Sequence, residues 1–394
     1  MNFKRLEDAQ LKGKTALVRV DFNLPRDKKG NVTDDTRLKT ALPTIKALKE
    51  AGAKIVLLSH FGRPKGKASA KMSLNFVVEL LVEALETTVA FSDAISPVLI
   101  DSMDPGEILL LENTRFDAGE EAGDAELAKR YAELGDIFVM DAFSVAHRRH
   151  ATSAVIAEYL PAYAGLAMER EIDHISQALD HPKSPVMAIV GGAKVSTKID
   201  LLSNLVKKLD VLAITGGMAN TFLYAQGHKV GKSLHEPDFK DTALDILKAA
   251  KKAKCKIILP VDGVAATEFK ANAKHRVVGL DNVKANEMIL DAGPDTVEVL
   301  LDAIDGVKTL IWNGPLGAFE MTPFDTSTVE AAKYAARRVK ENGLIAVAGG
   351  GDTVSALNQA GVADDFTFMS TAGGAFLEWM EGKVLPGIDI LKKS

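Results

Sequence analysis

Gly191-Gly192-Ala193-Lys194-Val195-Ser196-Thr197-Lys198 follows an apolar run and precedes a helix-like stretch. Free N–H groups at a helix start, together with the positive end of its dipole, suit a phosphate. Lys194 and Lys198 are four apart, so on a helix they share one face and make a cationic patch. A tight turn with two solvated lysines is the plain alternative. Gly349-Gly350-Gly351-Asp352-Thr353 has the same form. Its glycines let a backbone approach an anion closely. Asp352 is placed either to hold magnesium against phosphate oxygens or to cap the helix. Thr371-Ala372-Gly373-Gly374-Ala375 repeats the pattern. Several glycine-rich helix starts in one half of a chain fit a nucleotide with its chain of phosphates.

The other half carries a complementary set. Arg37, Arg63, Arg115 and Arg148 lie at or near expected strand exits or loops. Guanidinium forks match phosphate and carboxylate oxygens, so four of them fit a small, multiply anionic ligand. Asp21 and Asn23 alternate with Phe22 and would point the same way along a strand, as acceptors for substrate hydroxyls. His147, Arg148, Arg149 and His150 form a cluster better suited to anions than to a metal, because no acidic or cysteine partner has ligand spacing. His60 reads as a hydrogen-bond donor rather than a general base.

Short apolar runs alternate with amphipathic stretches and position these residues. The runs are Thr15–Val20, Ile55–Ser59, Ile108–Leu111 and Ile137–Met140, then Val186–Val190, Val211–Thr215, Ile257–Pro260, Thr309–Trp312, Leu344–Ala348 and Phe366–Met369. Helical stretches such as Leu74–Leu85, Asp124–Leu134, Thr197–Leu209, Phe239–Lys252 and Thr328–Lys340 separate many of them. Doubly apolar strands alternating with helices predict α/β architecture with parallel sheets. Ligands of such sheets bind beyond the carboxyl ends of the strands. There the first half presents charge and arginine, and the second presents glycine. This shift divides the chain into two lobes, with a break near residues 159–175.

With 394 residues, 47% hydrophobic and 26% charged, the chain has material for more than one globular domain. A net charge of -5 gives no global basic field for nucleic acid or anionic lipid. The single cysteine, Cys255, excludes an internal disulfide and reads as a packed residue. No signal-like start or membrane-length apolar run stands in the sequence, so a cytoplasmic location is expected. Gly227 to Ser233 imitates a P-loop, but it is one residue short and no strand leads into it. The dinucleotide fingerprint G-x-G-x-x-G is absent, which counts against a dehydrogenase. The residues thus describe an enzyme moving a phosphoryl group between a nucleotide and a small anion.

In one order along nearly the whole chain, further motifs resemble the phosphoglycerate kinase family. They are Arg19-Val-Asp21-Phe-Asn23-Leu-Pro25, Thr33 to Arg37, Ser59-His60-Phe61-Gly62-Arg63-Pro64, Glu112-Asn-Thr-Arg115-Phe, Asp141-Ala-Phe143, Gly191 to Lys198, Trp312 to Glu320 and Gly349 to Thr353. The resemblance implies two Rossmann-like lobes joined by a hinge helix. Residues 1–168 would bind phosphoglycerate and 169–376 the nucleotide, with about 377–394 returning to the first lobe. It implies a monomer and a phosphotransferase with a carboxyl acceptor. The reaction would be magnesium-dependent, reversible transfer from 1,3-bisphosphoglycerate to ADP, in line and after hinge closure, giving 3-phosphoglycerate and ATP in glycolysis.

By motif match, Asp21, Phe22, Asn23, Arg37, His60, Phe61, Gly62, Arg63, Arg115 and Arg148 would bind phosphoglycerate. Lys198, Gly216, Gly217, Gly293, Asn313, Glu320, Gly350, Gly351, Asp352 and Thr353 would bind the nucleotide, Glu320 at the ribose and Asp352 at the magnesium ion. Arg37, Lys198 and Lys194 would act on the transferring group, with Gly373 and Gly374 contacting it. Ser144-Val145 replaces the usual Gly-Thr, Arg149 a small residue, and Ala372 the first of three glycines. In the reverse direction the nucleophile is a carboxylate, already ionised at neutral pH, so no general base is needed.

Overall fold

The computed structural model describes residues 2–370 and 372–393. Thr371, which opens one glycine motif, and Ser394, last of the returning segment, lie outside the described residues. The chain forms two compact units. One runs to Asp173 and takes back the chain from Val384 onward; the other is His174–Lys383.

The first unit is built on β1 (Thr15–Arg19), β2 (Lys54–Leu58), β3 (Val89–Ser92), β4 (Ile108–Leu111), β5 (Ile137–Met140) and β6 (Ala162–Ala164). They make one six-stranded sheet in the order β3-β4-β2-β1-β5-β6, with every pair parallel. Buried on both faces, β1, β4 and β5 are continuous apolar runs apart from Thr15 and Arg19. One core joins Val18, Ile45, Leu48, Ile55, Leu81 and Val139 between the sheet and its helices. Residue Phe3 bridges Lys392, and the Lys4 N–H donates to the Leu391 carbonyl. The end of the chain is therefore stitched to its beginning.

The second unit contains β7 (Val186–Val190), β8 (Val211–Ile214), β9 (Lys256–Ile258), β10 (Asp262–Ala266), β11 (His275–Gly279), β12 (Met288–Ala292), β13 (Thr309–Asn313), β14 (Ile345–Gly349) and β15 (Phe368–Ser370). Six of these form a second parallel sheet, β15-β14-β13-β7-β8-β9. The remaining three form a small antiparallel sheet, β11-β10-β12. Two parallel six-stranded sheets flanked by helices match the α/β expectation. Cys255 is buried and its thiol is pushed up to about 11 by burial, as befits a packed residue.

Both large sheets reverse their winding direction at one place. In the first, β2, β4 and β3 lie in that order outward from β1 on one side, and β5 and β6 lie on the other. In the second, β7 and β13 play these parts. Such a reversal opens a crevice at the carboxyl ends of the two strands. The loops after β1 and β5, and those after β7 and β13, are where the chemistry collects.

Candidate functional site

In the first unit, Asp21 leaves β1 and meets Arg37, from the first turn of the helix Thr36–Glu50. The Arg37 Nη1 donates to Asp21 Oδ2 at 2.8 Å and to the Asn23 carbonyl at 3.3 Å. Asp21 is held below the usual carboxylate range. Burial works against its ionisation, but Arg37 and hydrogen bonds from the Ser144 hydroxyl and the Asn23 N–H outweigh it. Asn23 Oδ1 accepts the Gly62 N–H at 3.0 Å. The Gly62 carbonyl in turn accepts from Arg115 Nη1 at 2.8 Å. Gly62 sits at φ +60, in the left-handed region that favours glycine. Asn113 clamps Phe61 by both backbone groups, through Oδ1 and Nδ2. Arg63 and Arg148 are exposed, with Arg148 Nε 3.1 Å from His147 Nε2.

One of the expected ligands takes another part. Phe22 is fully buried. Its N–H goes to Ser59 Oγ and its carbonyl to the Leu24 N–H, so it has no free polar group for a ligand and serves as core. His60 is buried, and its imidazole is pushed well below its ordinary range by burial and then by Arg19. Its Nδ1 lies 3.2 Å from Arg19 Nη2. Guanidinium only donates, so Nδ1 is the acceptor and the proton sits on Nε2. That agrees with a donor role.

Arg19 is the group to which the motif reading gave no part. It is fully buried, and it donates to Thr152 Oγ1, to the Val20 carbonyl and to His60. Thr152 is itself tied to Glu120. The signal was a lone arginine inside the run Thr15–Val20. A cleft of about 1150 Å³ lies elsewhere, beside Arg26, Phe76 and Tyr131, and includes none of Arg37, Arg63, Arg115 or Arg148.

In the second unit, Lys198 and Asn313 meet where β7 and β13 end. The Lys198 Nζ donates to the Gly191 carbonyl and to Asn313 Oδ1, each at 2.6 Å. Asn313 Nδ2 reaches the Gly349 carbonyl at 2.7 Å. One amide thus ties the exits of three neighbouring strands. The Lys198 ammonium is pushed down to about 8 by burial, against a pull upward from Asp352. Gly350 adopts φ +102 beneath Asn313, and a β-carbon there would lie 2.7 Å from Nδ2.

The lysine pair requires a correction. Lys194 and Lys198 share no helix face, because a 3-10 turn occupies Val195–Thr197 and the helix begins only at Ile199. Lys194 is exposed, whereas Lys198 turns back under the glycines. Gly350, not Asp352, is the N-cap of the helix Gly351–Gln359. The Asp352 carboxylate is exposed and has no hydrogen bond among the described residues. It therefore fits a cation that takes its other ligands from phosphate and water.

Beside this floor is a cavity of about 420 Å³ lined by Gly192, Gly216, Gly217, Glu320 and Asp352. Its walls add Leu234, Phe269, Met288, Leu290 and Lys232, none of which the motifs singled out. Lys232 belongs to the rejected P-loop imitation, which follows the helix Gly216–Ala225 and not a strand. Gly293, Gly351 and Thr353 lie off this lining. Gly293 packs on Asp262, and Thr353 Oγ1 is spent on Gly314 and Gly349. Gly373 and Gly374 open the helix Gly373–Met380, with Gly373 against Gly350. The Ala372 N–H is taken by Ser370 Oγ.

The sequence model of the phosphoglycerate kinase family matches residues 6–383. The chain belongs to the phosphoglycerate kinase family. It is 61% identical over 391 residues to the phosphoglycerate kinase of Maricaulis maris, covering 98% of this chain and 96% of that one. The enzyme of a Caulobacter species is 57% identical over the full length of both. Among solved structures, phosphoglycerate kinase from Coxiella burnetii superposes with a TM-score of 0.93 at 42% identity, covering 99% of this chain and 98% of that one. The enzyme from Pyrococcus horikoshii gives 0.77 at 29%, covering 98% of each. The activity is the family's: a phosphotransferase with a carboxyl acceptor, working between 1,3-bisphosphoglycerate and ADP in glycolysis.

Proposed function

We propose that the first unit binds phosphoglycerate through Asp21, Asn23, Arg37, His60, Arg63, Arg115 and Arg148, and that the second binds ADP or ATP in its glycine-lined cavity. The observation that carries this reading is the Lys198 ammonium, held at the strand crevice beside that cavity with two of its three N–H bonds engaged. The third is left for the transferring phosphoryl group. Arg37 has a comparable surplus, since only Nη1 is engaged by Asp21 and Asn23.

Neither unit pairs a base with a nucleophile at these residues. The acceptor in the reverse direction is an ionised carboxylate, so the protein's work is positioning and charge stabilisation. His60, neutral with its proton on Nε2, donates a hydrogen bond and moves no proton. Asp352 would hold magnesium, and the ion neutralises phosphate charge when bound. Glu320 stands at the cavity where a ribose would be held, and Gly373 and Gly374 would contact the transferring group. With one reactant on each unit, in-line transfer calls for a closing movement that keeps water from the acyl phosphate.

We read the enzyme as a cytoplasmic monomer acting on small molecules, without nucleic acid or membrane partners. No helix among the described residues is long and apolar enough to cross a membrane. The direct test follows ATP-dependent phosphorylation of 3-phosphoglycerate by coupled NADH oxidation, with and without magnesium. Arg115→Ala should raise the KM for 3-phosphoglycerate alone, and Glu320→Ala that for ATP alone. Crossed effects would overturn the division of labour.

A further inference from the structure

Ser144 lies in the 3-10 turn Phe143–Val145 that follows β5, on the far side of the crevice from Asp21. Its hydroxyl donates to Asp21 Oδ2 at 2.5 Å. That oxygen also takes the Arg37 Nη1 at 2.8 Å, while Oδ1 takes the Asn23 N–H at 3.0 Å.

A carboxylate has about four acceptor positions. The protein fills three of them here: both on Oδ2 and one on Oδ1. The remaining position is on Oδ1. The Asp21 side chain is only 12% exposed, so its orientation is set by these partners more than by water. Arg37 alone on Oδ2 would leave that oxygen without a donor whenever the guanidinium turned to a phosphoryl group. Ser144 is a second donor and has no charge to lend elsewhere.

We infer that Ser144 is a positioning residue for the phosphoglycerate site: its hydroxyl fixes the Asp21 carboxylate independently of Arg37 and turns the open acceptor position on Oδ1 to a substrate hydroxyl. This rests on the reading of Asp21 as a phosphoglycerate ligand. Arg19, Arg37 and His60 are the charged and titratable groups acting on Asp21. Each remains in place when Ser144 is changed.

The test is steady-state kinetics of the full-length enzyme with 3-phosphoglycerate and ATP varied separately, for Ser144→Ala, Ser144→Thr, Asp21→Asn and the double variant Asp21→Asn with Ser144→Ala. Loss of a hydrogen bond to a charged group should raise the KM for 3-phosphoglycerate in Ser144→Ala by roughly tenfold to a hundredfold. The KM for ATP and the melting temperature should stay at the wild-type values. Ser144→Thr, which keeps the hydroxyl, should restore most of the loss. In the double variant the effect of Ser144→Ala should vanish. An unchanged KM in Ser144→Ala, equal rises in both KM values, or a parallel fall in melting temperature would overturn the inference. If Asp21→Asn itself leaves the KM for 3-phosphoglycerate unchanged, the reading of Asp21 fails, and this inference fails with it. If Asp21→Asn raises that KM while Ser144→Ala does not, only the role of Ser144 is lost.

Discussion

Lys198 and Asn313 are joined by a 2.6 Å hydrogen bond across the ends of β7 and β13, the two strands at which the second sheet reverses its winding. The bond aims an ammonium group that the surrounding protein has partly desolvated. Removing that group costs the reaction more than the fold, because burial of the charge is itself unfavourable. We expect Lys198→Ala to lower kcat by about a hundredfold to a thousandfold, as for loss of one preorganised donor. The melting temperature should hold. A coupled assay beside a thermal melt separates the two, and a large fall in melting temperature would make Lys198 mainly structural.

The same ammonium predicts a pH effect on nucleotide binding. Burial pushes it down to about 8, so the free protein loses this charge as pH rises through that value. Bound phosphate favours the charged form and draws a proton back. ADP affinity measured by calorimetry without magnesium should therefore fall between about pH 7 and pH 9, with proton uptake on binding near pH 8.5. Lys198→Met should abolish the uptake. Affinity that ignores pH over this interval would place the charge elsewhere.

Arg37 is expected to act on turnover more than on binding. Its guanidinium already neutralises Asp21 in the resting enzyme, so little new ground-state binding is gained from it. We expect Arg37→Ala to lower kcat by about a thousandfold or more, in the range of arginines that meet a transferring phosphoryl group. The KM for 3-phosphoglycerate should change by less than about tenfold. Equal losses in both would limit Arg37 to holding substrate.

Asp141 at the start of the loop after β5 accepts the N–H groups of Ala167 and Met168, capping the helix Leu166–Leu179 from outside it. Asp291 treats Ser327 of the helix Thr326–Asn342 in the same way. Burial, the largest influence on each, pushes both carboxyls up to about 7. For an acid whose folded value lies above its unfolded value near 4, the fold retains a proton that the unfolded chain has lost. Stability therefore falls as pH rises from about 4 to about 7. Asn keeps the acceptor without ionising. Asp141→Asn should match the wild type near pH 4 and melt a few degrees higher near pH 8, read by calorimetry. A deficit of equal size at both pH values would mean that the cap needs the charge.

Much of this was legible in the residues. The runs Ile108–Leu111, Ile137–Met140 and Val186–Val190 coincide with β4, β5 and β7 because strands buried on both faces leave no room for polar residues. The short edge strand Val89–Ser92 did not stand out, since only Val89 is buried. Neither did β11, where His275–Gly279 alternates exposed and covered positions and pairs only with a strand nine or more residues away in the chain. Asp21 and Arg37 were legible as separate residues with charge. Their meeting in the connection after β1 was not, and neither was the hydroxyl of Ser144 on the same oxygen. The lysine spacing misled because the 3-10 turn at Val195–Thr197 breaks the helical count that places residues four apart on one face.

The stitch between Lys4 and Leu391 has a consequence for how the protein is made. A ribosome delivers the start of the first unit early, yet the strip from Val384 onward emerges only after all of His174–Lys383. At ~5–20 residues per second, the nascent first unit waits roughly ten to forty seconds for its closing piece. Throughout that wait, the ground that Leu391 and Ile388 will cover stays bare, and the two residues are almost wholly buried once they arrive. A transcript that stops short of codon 384 thus damages the unit encoded first, not the one just completed.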